Sequence, residues 1–482
     1  MEKVKKKKFK LLDAVLASVC IVLVVESVVP TAAIGPMQYF WWGLLFLTFF
    51  LPYGLITAEL GSTYQGEGGL FDWVKKAFGV RSGARVAWYY WVNFPLWIAS
   101  LAALFTVIYG VIFNYTFDPK IALFVQLGFI WLVVWLSAYR ITTSKWIVNL
   151  GAIVKALIIL TIGAFGVWAL THQGMATTTT VSTDASILGG LSFVAIIIFN
   201  FLGFEVMSSF SGDMKNPKKQ IPQAIIIGGI LIAAFYLFGA FGISAAIPLD
   251  KLVETSSMAS SMATGLIDAL RIMAGPATWL VVAAGLLFMY TMISNLVSWS
   301  PGVNYVALYA AKNKALPKVF ASENKHGMPK GANIINGLVA SALVIGAYYL
   351  IQYSGNIETF FASYRLNITI NVDTFWTFFM LNVVTFIASY VFLFPAFLRL
   401  RQKDPNTKRP FKVSGNKSII WLISVVPLVL LVAALVFMLF PYDSATNSLA
   451  PDNVLIAGAV TAIVIGEIIA QVAVMRNKKK KK

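Results

Sequence analysis

The stretch VVESVVPTAAIGP, residues 24–36, decides the fold. It lies in an apolar run long enough to cross a bilayer, yet it carries a carboxylate at Glu26, a proline at Pro30 and a Gly-Pro pair at its outer end. Proline removes a backbone hydrogen bond and clashes one turn back, so this run reads as a poor continuous helix. A second run, FNFLGFE at 199–205, puts Asn200, Gly203 and Glu205 at membrane depth. The two runs stand five apart in the series of apolar segments. Matched interruptions in two halves of a chain point to a secondary transporter, whose site forms where half-helix ends offer free backbone groups. Taken singly, each has a plainer reading: Pro30 makes a kink, and Gly203 serves helix packing.

Working outward, the 482 residues are 59% hydrophobic and 12% charged, far from the half-apolar, quarter-charged balance of soluble domains. Apolar runs of about 20 residues, enough for ~30 Å of hydrocarbon, recur at 12–34, 39–61, 86–114, 119–139, 147–170, 189–211, 222–246, 277–301, 332–352, 374–398, 418–441 and 453–475. They predict twelve transmembrane helices, because lipid offers no partner to an open strand edge. The net charge of +18 does not indicate nucleic acid, since the basic residues sit in short clusters between spans. With the N-terminus inside, Lys3–Lys10, Lys75–Arg85, Arg140 with Lys145, Lys215–Lys219, Lys312–Lys330, Arg399–Lys417 and Arg476–Lys482 are all cytoplasmic. Only Lys120, Lys251, Arg271 and Arg365 fall outside, as the positive-inside rule requires. The acidic residues of the outer loops add a weak bias toward cations, which salt screens.

The expected location is therefore the bacterial inner membrane, multi-pass, with both termini cytoplasmic. No cleavage site follows Lys10, and the lone Cys20 allows no internal disulfide. Residues 251–274 are expected to form an amphipathic outer helix with Met258, Met262 and Leu266 on one side. The segment through Tyr305, Tyr309 and Lys312 is expected to continue the eighth span into the cytoplasm. His172 and His326, the only histidines, lie in loops without metal spacing or a nucleophile partner. No enzyme activity, metal or cofactor is expected.

The motif AELGSTYQGEGGLFDWV at 58–74 resembles the segment after the second span in the amino acid–polyamine–organocation superfamily, particularly its glutamate:GABA antiporter branch. The likeness continues in FLGFE at 201–205, NPKKQIP at 216–222, KALPKVF at 314–320 and KRPFKV at 408–413. It implies an inverted-repeat fold of the LeuT type. Residues 1–11 would be a basic N-terminus, 12–170 and 189–398 the two five-helix repeats, 418–475 two appended helices and 476–482 a basic tail. It also implies alternating access by an antiporter of amino acids or amines, such as agmatine for putrescine, with proton-coupled uptake of neutral amino acids as the alternative. The C-terminal plug of the glutamate exchangers has no counterpart here, so gating by one is not expected. A homodimer is an option the sequence leaves open.

Carried onto this chain, the resemblance places the unwound part of span one at Thr31, Ala32 and Ala33, an aromatic gate at Phe199 ahead of Asn200, Phe201 and Gly203, an aromatic wall at Trp299 and a pocket-facing hydroxyl at Ser100. Ionisable groups at membrane depth are costly unless paired or hydrated. Glu26 is read as a ligand for a substrate cation, as a group that changes protonation, or as a partner of Lys155. Lys155 stands where sodium-driven relatives bind an ion, and it and Glu205 are the candidate proton-coupling residues. Glu467 is expected at a lipid or oligomer interface. Glu59 and Asp72 are expected to pair with Lys75, Lys76 or Arg81.

Overall fold

The computed structural model describes residues 9–32, 35, 37–172, 174, 176, 194–248, 264–275, 277–355, 373–443 and 448–478. Ala33, Met258 and Met262 lie outside them. Among the described residues ten helices are long and apolar enough to cross a membrane. They are α3 (Met37–Thr63), α5 (Val80–Phe113), α6 (Pro119–Leu136), α7 (Ile141–His172), α9 (Pro217–Ala246), α11 (Thr278–Lys312), α12 (Lys330–Gln352), α13 (Thr374–Lys403), α14 (Lys417–Leu439) and α15 (Asn453–Lys478). The first and sixth predicted spans are instead shorter apolar helices, α1 (Leu11–Val22) and α8 (Val194–Ser209). The twelve-span expectation thus meets ten full-length helices and two that are interrupted.

The interruption in span one lies earlier than the proline predicted. Leu23 and Val24 are extended, Val25–Ser27 form a 3-10 turn, and a short helix, α2 (Val28–Ala32), then restarts. Pro30 therefore sits in the first turn of a new helix, where its missing N–H has no helical acceptor to lose. Thr31 and Ala32 are helical, and the Thr31 hydroxyl donates to the carbonyls of Ser27 and Val28. This corrects their assignment to unwound backbone. In α8 the helix opens at Leu202 and Gly203. Gly203 has φ +121°, and a Cβ there would lie 3.0 Å from the Trp299 ring, so both conformation and space call for glycine.

The central helices pack closely. α13 lies along α5, α9 along α7, and α1 against α7, α9 and α11. α7 and α9 meet at Gly166 and Gly242, where a side chain on Gly166 would strike the Gly242 backbone. In contrast, α14 and α15 expose long apolar faces, including Trp421, Val432, Ile463 and Ile468, as lipid-facing helices do. The helix expected on the outer side is described as α10 (Gly265–Ala274), with Leu266 buried. It rests against the 3-10 turn and α2. The eighth span continues to Lys312 as expected. The amphipathic α4 (Gly69–Phe78) lies between α3 and α5, and a small hairpin, β1 (Tyr442–Asp443) with β2 (Ser448–Leu449), joins α14 to α15.

Of the two expected ion pairs one forms and the other is replaced. Asp72 does pair with Lys76, at 2.7 Å, but Glu59 is buried and turns to the far end of α13 and the loop behind it. It accepts from Arg401, from Arg409 Nε at 3.1 Å and from the Val413 N–H at 2.7 Å. Lys75 donates instead to Asn313, at 2.6 Å. Glu467 is held by Arg81 and Arg85 at the start of α5, so its charge is paired within the chain. Both partners are remote in sequence, and helical spacing could not have named them.

Candidate functional site

An interrupted helix leaves backbone polar groups that must find partners in a dry interior. Here the carbonyls of the span-one break are met by side chains from three helices. Lys155 on α7 donates to Cys20 O at 2.8 Å and to Leu23 O. Asn295 on α11 donates to Cys20 O and Ile21 O at 2.9 and 3.0 Å. Trp299, one turn on, donates to Ile21 O at 3.1 Å. The Tyr236 hydroxyl on α9 donates to Val22 O and accepts from the Val24 N–H at 2.8 Å. This network holds the break open, and its ammonium sits on carbonyl oxygens as a bound cation would. Lys155 makes no direct ion pair with Glu26, whose charge reaches it only at longer range.

The break borders a narrow cavity lined by Ile21, Val22, Val24, Asn93, Trp97, Phe199, Leu202, Trp299, Asn382 and Phe386. Its walls are mostly aromatic. Phe199 lies edge-on to Trp97 and Phe386, and Trp299 edge-on to Phe386 at 5.3 Å. Trp97 is fixed by its indole N–H on Asn295 Oδ1, at 2.9 Å. The polar wall groups are two carboxamides, and the Nδ2 of Asn382 is buried without a partner. No side chain of either charge lines the cavity. Aromatic faces attract a cation by ~0.5–2 kcal/mol each when desolvated, and amide oxygens accept from an ammonium.

Below Phe386 lies a second layer. Glu205 accepts from Tyr53 Oη at 2.5 Å and Tyr90 Oη at 2.6 Å. Tyr390 is the third phenol beside the carboxylate, without a hydrogen bond of standard geometry. Tyr53 also accepts the N–H groups of Gly203 and Phe204, both at 3.1 Å. Phe386 packs on Tyr90 and Tyr390, so it is shared between cavity and carboxylate layer.

The structure brings Phe199 and Trp299 to one cavity and stations Gly203 beside it. It does not bring the other candidates there. Ser100 donates to Phe375 O at 3.1 Å and so faces α13. Phe201 packs on the far side, among Trp42, Phe50 and Tyr236. Asn200 is buried with neither amide atom partnered, outside the cavity wall. Glu26 sits in the 3-10 turn itself, nearly inaccessible and behind the wall. Sequence reasoning missed Asn93, Asn382, Asn295 and the three phenols. The asparagines had a usable signal, since amides inside apolar spans are costly unless employed.

The profile of the family described as amino acid permease matches residues 9–465. A probable agmatine/putrescine antiporter of Lactococcus lactis subsp. lactis (strain IL1403) is 45% identical over 468 residues, covering 96% of this chain and 95% of that one. A glutamate/gamma-aminobutyrate antiporter of the same strain is 24% identical over 382 residues, covering 77% and 71%. Among solved structures, MhsT in complex with L-phenylalanine superposes with a TM-score of 0.59 over 88% of this chain and 98% of that one, at 16% identity. That likeness carries the fold, the LeuT-type inverted repeat.

Proposed function

The chain belongs to the amino acid permease family, and from that premise we propose that this multi-pass amino acid or amine transporter is an antiporter exchanging agmatine for putrescine by alternating access. It sits, on this reading, in the bacterial inner membrane with both termini cytoplasmic, as repeats 12–170 and 189–398 followed by the two appended helices. The observation that carries the reading is the cavity wall, four aromatic rings and two carboxamides without a basic side chain. Such a wall accepts an organic cation and offers nothing to balance an anion. Kinship to a probable agmatine/putrescine antiporter points the same way.

In this reading the aromatic faces of Trp97, Phe199, Trp299 and Phe386 hold the alkyl chain and one ammonium, and Asn93 and Asn382 accept from the far end. Lys155 keeps the span-one break in shape as a resident cation. Glu205 is the group that can receive the leaving ammonium or a proton. Glu26, behind the wall, balances the charge of Lys155.

The test is counterflow in proteoliposomes preloaded with putrescine. External radiolabelled agmatine should accumulate only when putrescine is inside. Uptake of neutral amino acids alone, driven by an imposed proton gradient with empty vesicles, would replace this reading by proton symport.

A further inference from the structure

The same donors that shape the two breaks also decide what the substrate cannot carry. A substrate carboxylate binds in such folds at the backbone N–H groups of half-helix ends, and several of those groups are already taken here. At the span-six break the N–H groups of Gly203 and Phe204 both already donate to the Tyr53 hydroxyl, at 3.1 Å. That hydroxyl donates its own hydrogen bond to Glu205, 2.5 Å away. At the span-one break the Ser27 N–H returns to Val24 O and the Val24 N–H goes to Tyr236. The turn between carries the chain's own carboxyl group, the buried Glu26. The buried ammonium nearby, Lys155, is spent on Cys20 O and Leu23 O, and no cation lines the cavity wall.

We infer that the site takes amines lacking an α-carboxylate and rejects the parent amino acids, with Tyr53 and Glu26 as the specificity-determining residues that fill both carboxylate positions with the protein's own oxygens. The inference rests on the amine-exchange reading and narrows it. The substrate class becomes diamines and guanidino-amines, the products of decarboxylation. A carboxylate forced into the cavity would lose its water, find one unspent amide donor, Asn382 Nδ2, and no cation, and lie near the carboxyl groups of Glu205 and Glu26.

The experiment is competition for radiolabelled putrescine binding by the purified full-length protein, using three matched pairs: putrescine and ornithine, agmatine and arginine, cadaverine and lysine. Each amino acid should compete about 100-fold or more weakly than its amine. Parent amino acids within threefold of their amines overturn the inference while leaving amine exchange standing. If no amine binds at all, both readings fall. The isosteric pair Tyr53→Phe with Glu205→Gln keeps ring and volume but frees the two amides and removes the nearby charge. It should narrow the ornithine-to-putrescine ratio by about tenfold. A purely structural role for Tyr53 would weaken both ligands alike and leave that ratio unchanged, which also overturns the proposal. The wild-type ratios decide the question alone should the double variant fail to fold.

Discussion

Glu59→Gln removes the charge at the centre of the cytoplasmic clamp and should favour opening toward the cytoplasm. The carboxylate is 1% exposed and accepts from Arg401, Arg409 and the Val413 N–H. Glutamine keeps one acceptor and turns a donor toward a guanidinium. Breaking a buried ion pair costs ~3–5 kcal/mol, and because the Arg401 side chain is 17% exposed the lower figure applies. The helices that meet here also meet one layer deeper. α3 carries Tyr53 as well as Glu59, and α13 carries Tyr390 as well as Arg401. Six residues of helix span about 9 Å, so parting the phenols around Glu205 pulls the clamp apart too. A loss of about 3 kcal/mol from the closed state alone raises the open population about 100-fold. The assay is the rate of maleimide labelling from the cytoplasmic side at Ser208→Cys in a Cys20→Ser background. Ser208 is buried just past Glu205. Lower thermal stability with an unchanged labelling rate would refute the reasoning, because the clamp would then persist through opening.

Lys155→Met leaves the Leu23 carbonyl without the partner it has here, costing ~1–3 kcal/mol; it should lower the melting temperature and abolish counterflow. Trp299→Phe keeps an aromatic face and loses the bond to Ile21 O, so putrescine affinity should fall about fivefold, or ~1 kcal/mol. Asn382→Leu, replacing a buried amide of the cavity wall, should weaken putrescine about tenfold and leave n-butylamine nearly unchanged in the same binding assay. Glu67, in the loop between α3 and α4, has its pKa raised above 4.5 by burial first and then by Asp213 and Glu323, against Lys312 and Arg140. A raised folded-state pKa means its stabilising share is present below about 4.5 and lost as pH rises through the folded value. Glu67→Gln should therefore raise the melting temperature more at pH 8 than at pH 5.

The spans were legible because an apolar run of bilayer length admits one structure, and loop charge alone gave them an expected direction. Phe199 and Trp299 were legible as neighbours of a break because each sits at a fixed distance from a motif. The break in span one was misplaced because proline marks where a helix is weak, whereas the chain opens where side chains pay back its carbonyls. Those side chains, Lys155, Tyr236, Asn295 and Trp299, come from three other helices, and nothing in residues 24–36 announces them. Ser100 failed for a simpler reason. One residue is 100° of helix, so a facing argument needs a rotation that motif spacing does not supply. Tyr53, Tyr90 and Tyr390 carried no signal, since tyrosine is common in membrane helices and only their convergence on Glu205 sets them apart.

That convergence also orders the route inward. Asn382, Phe386 and Tyr390 recur every four residues on α13 and share a face, followed by Arg401 beyond a short turn at 391–392. Nineteen residues from Asn382 to Arg401 along α13 span about 28 Å at helical rise. One helix face thus contributes cavity wall, phenol layer and clamp in sequence. Each carboxylate beside it has partners, Glu205 hydrogen-bonded by neutral phenols and Glu59 paired with two arginines. An amine leaving the cavity can compete with a neutral phenol for Glu205, but it meets two guanidiniums at Glu59. The inner layer can accordingly be opened by the substrate itself, whereas the outer one must be opened by movement of the helices.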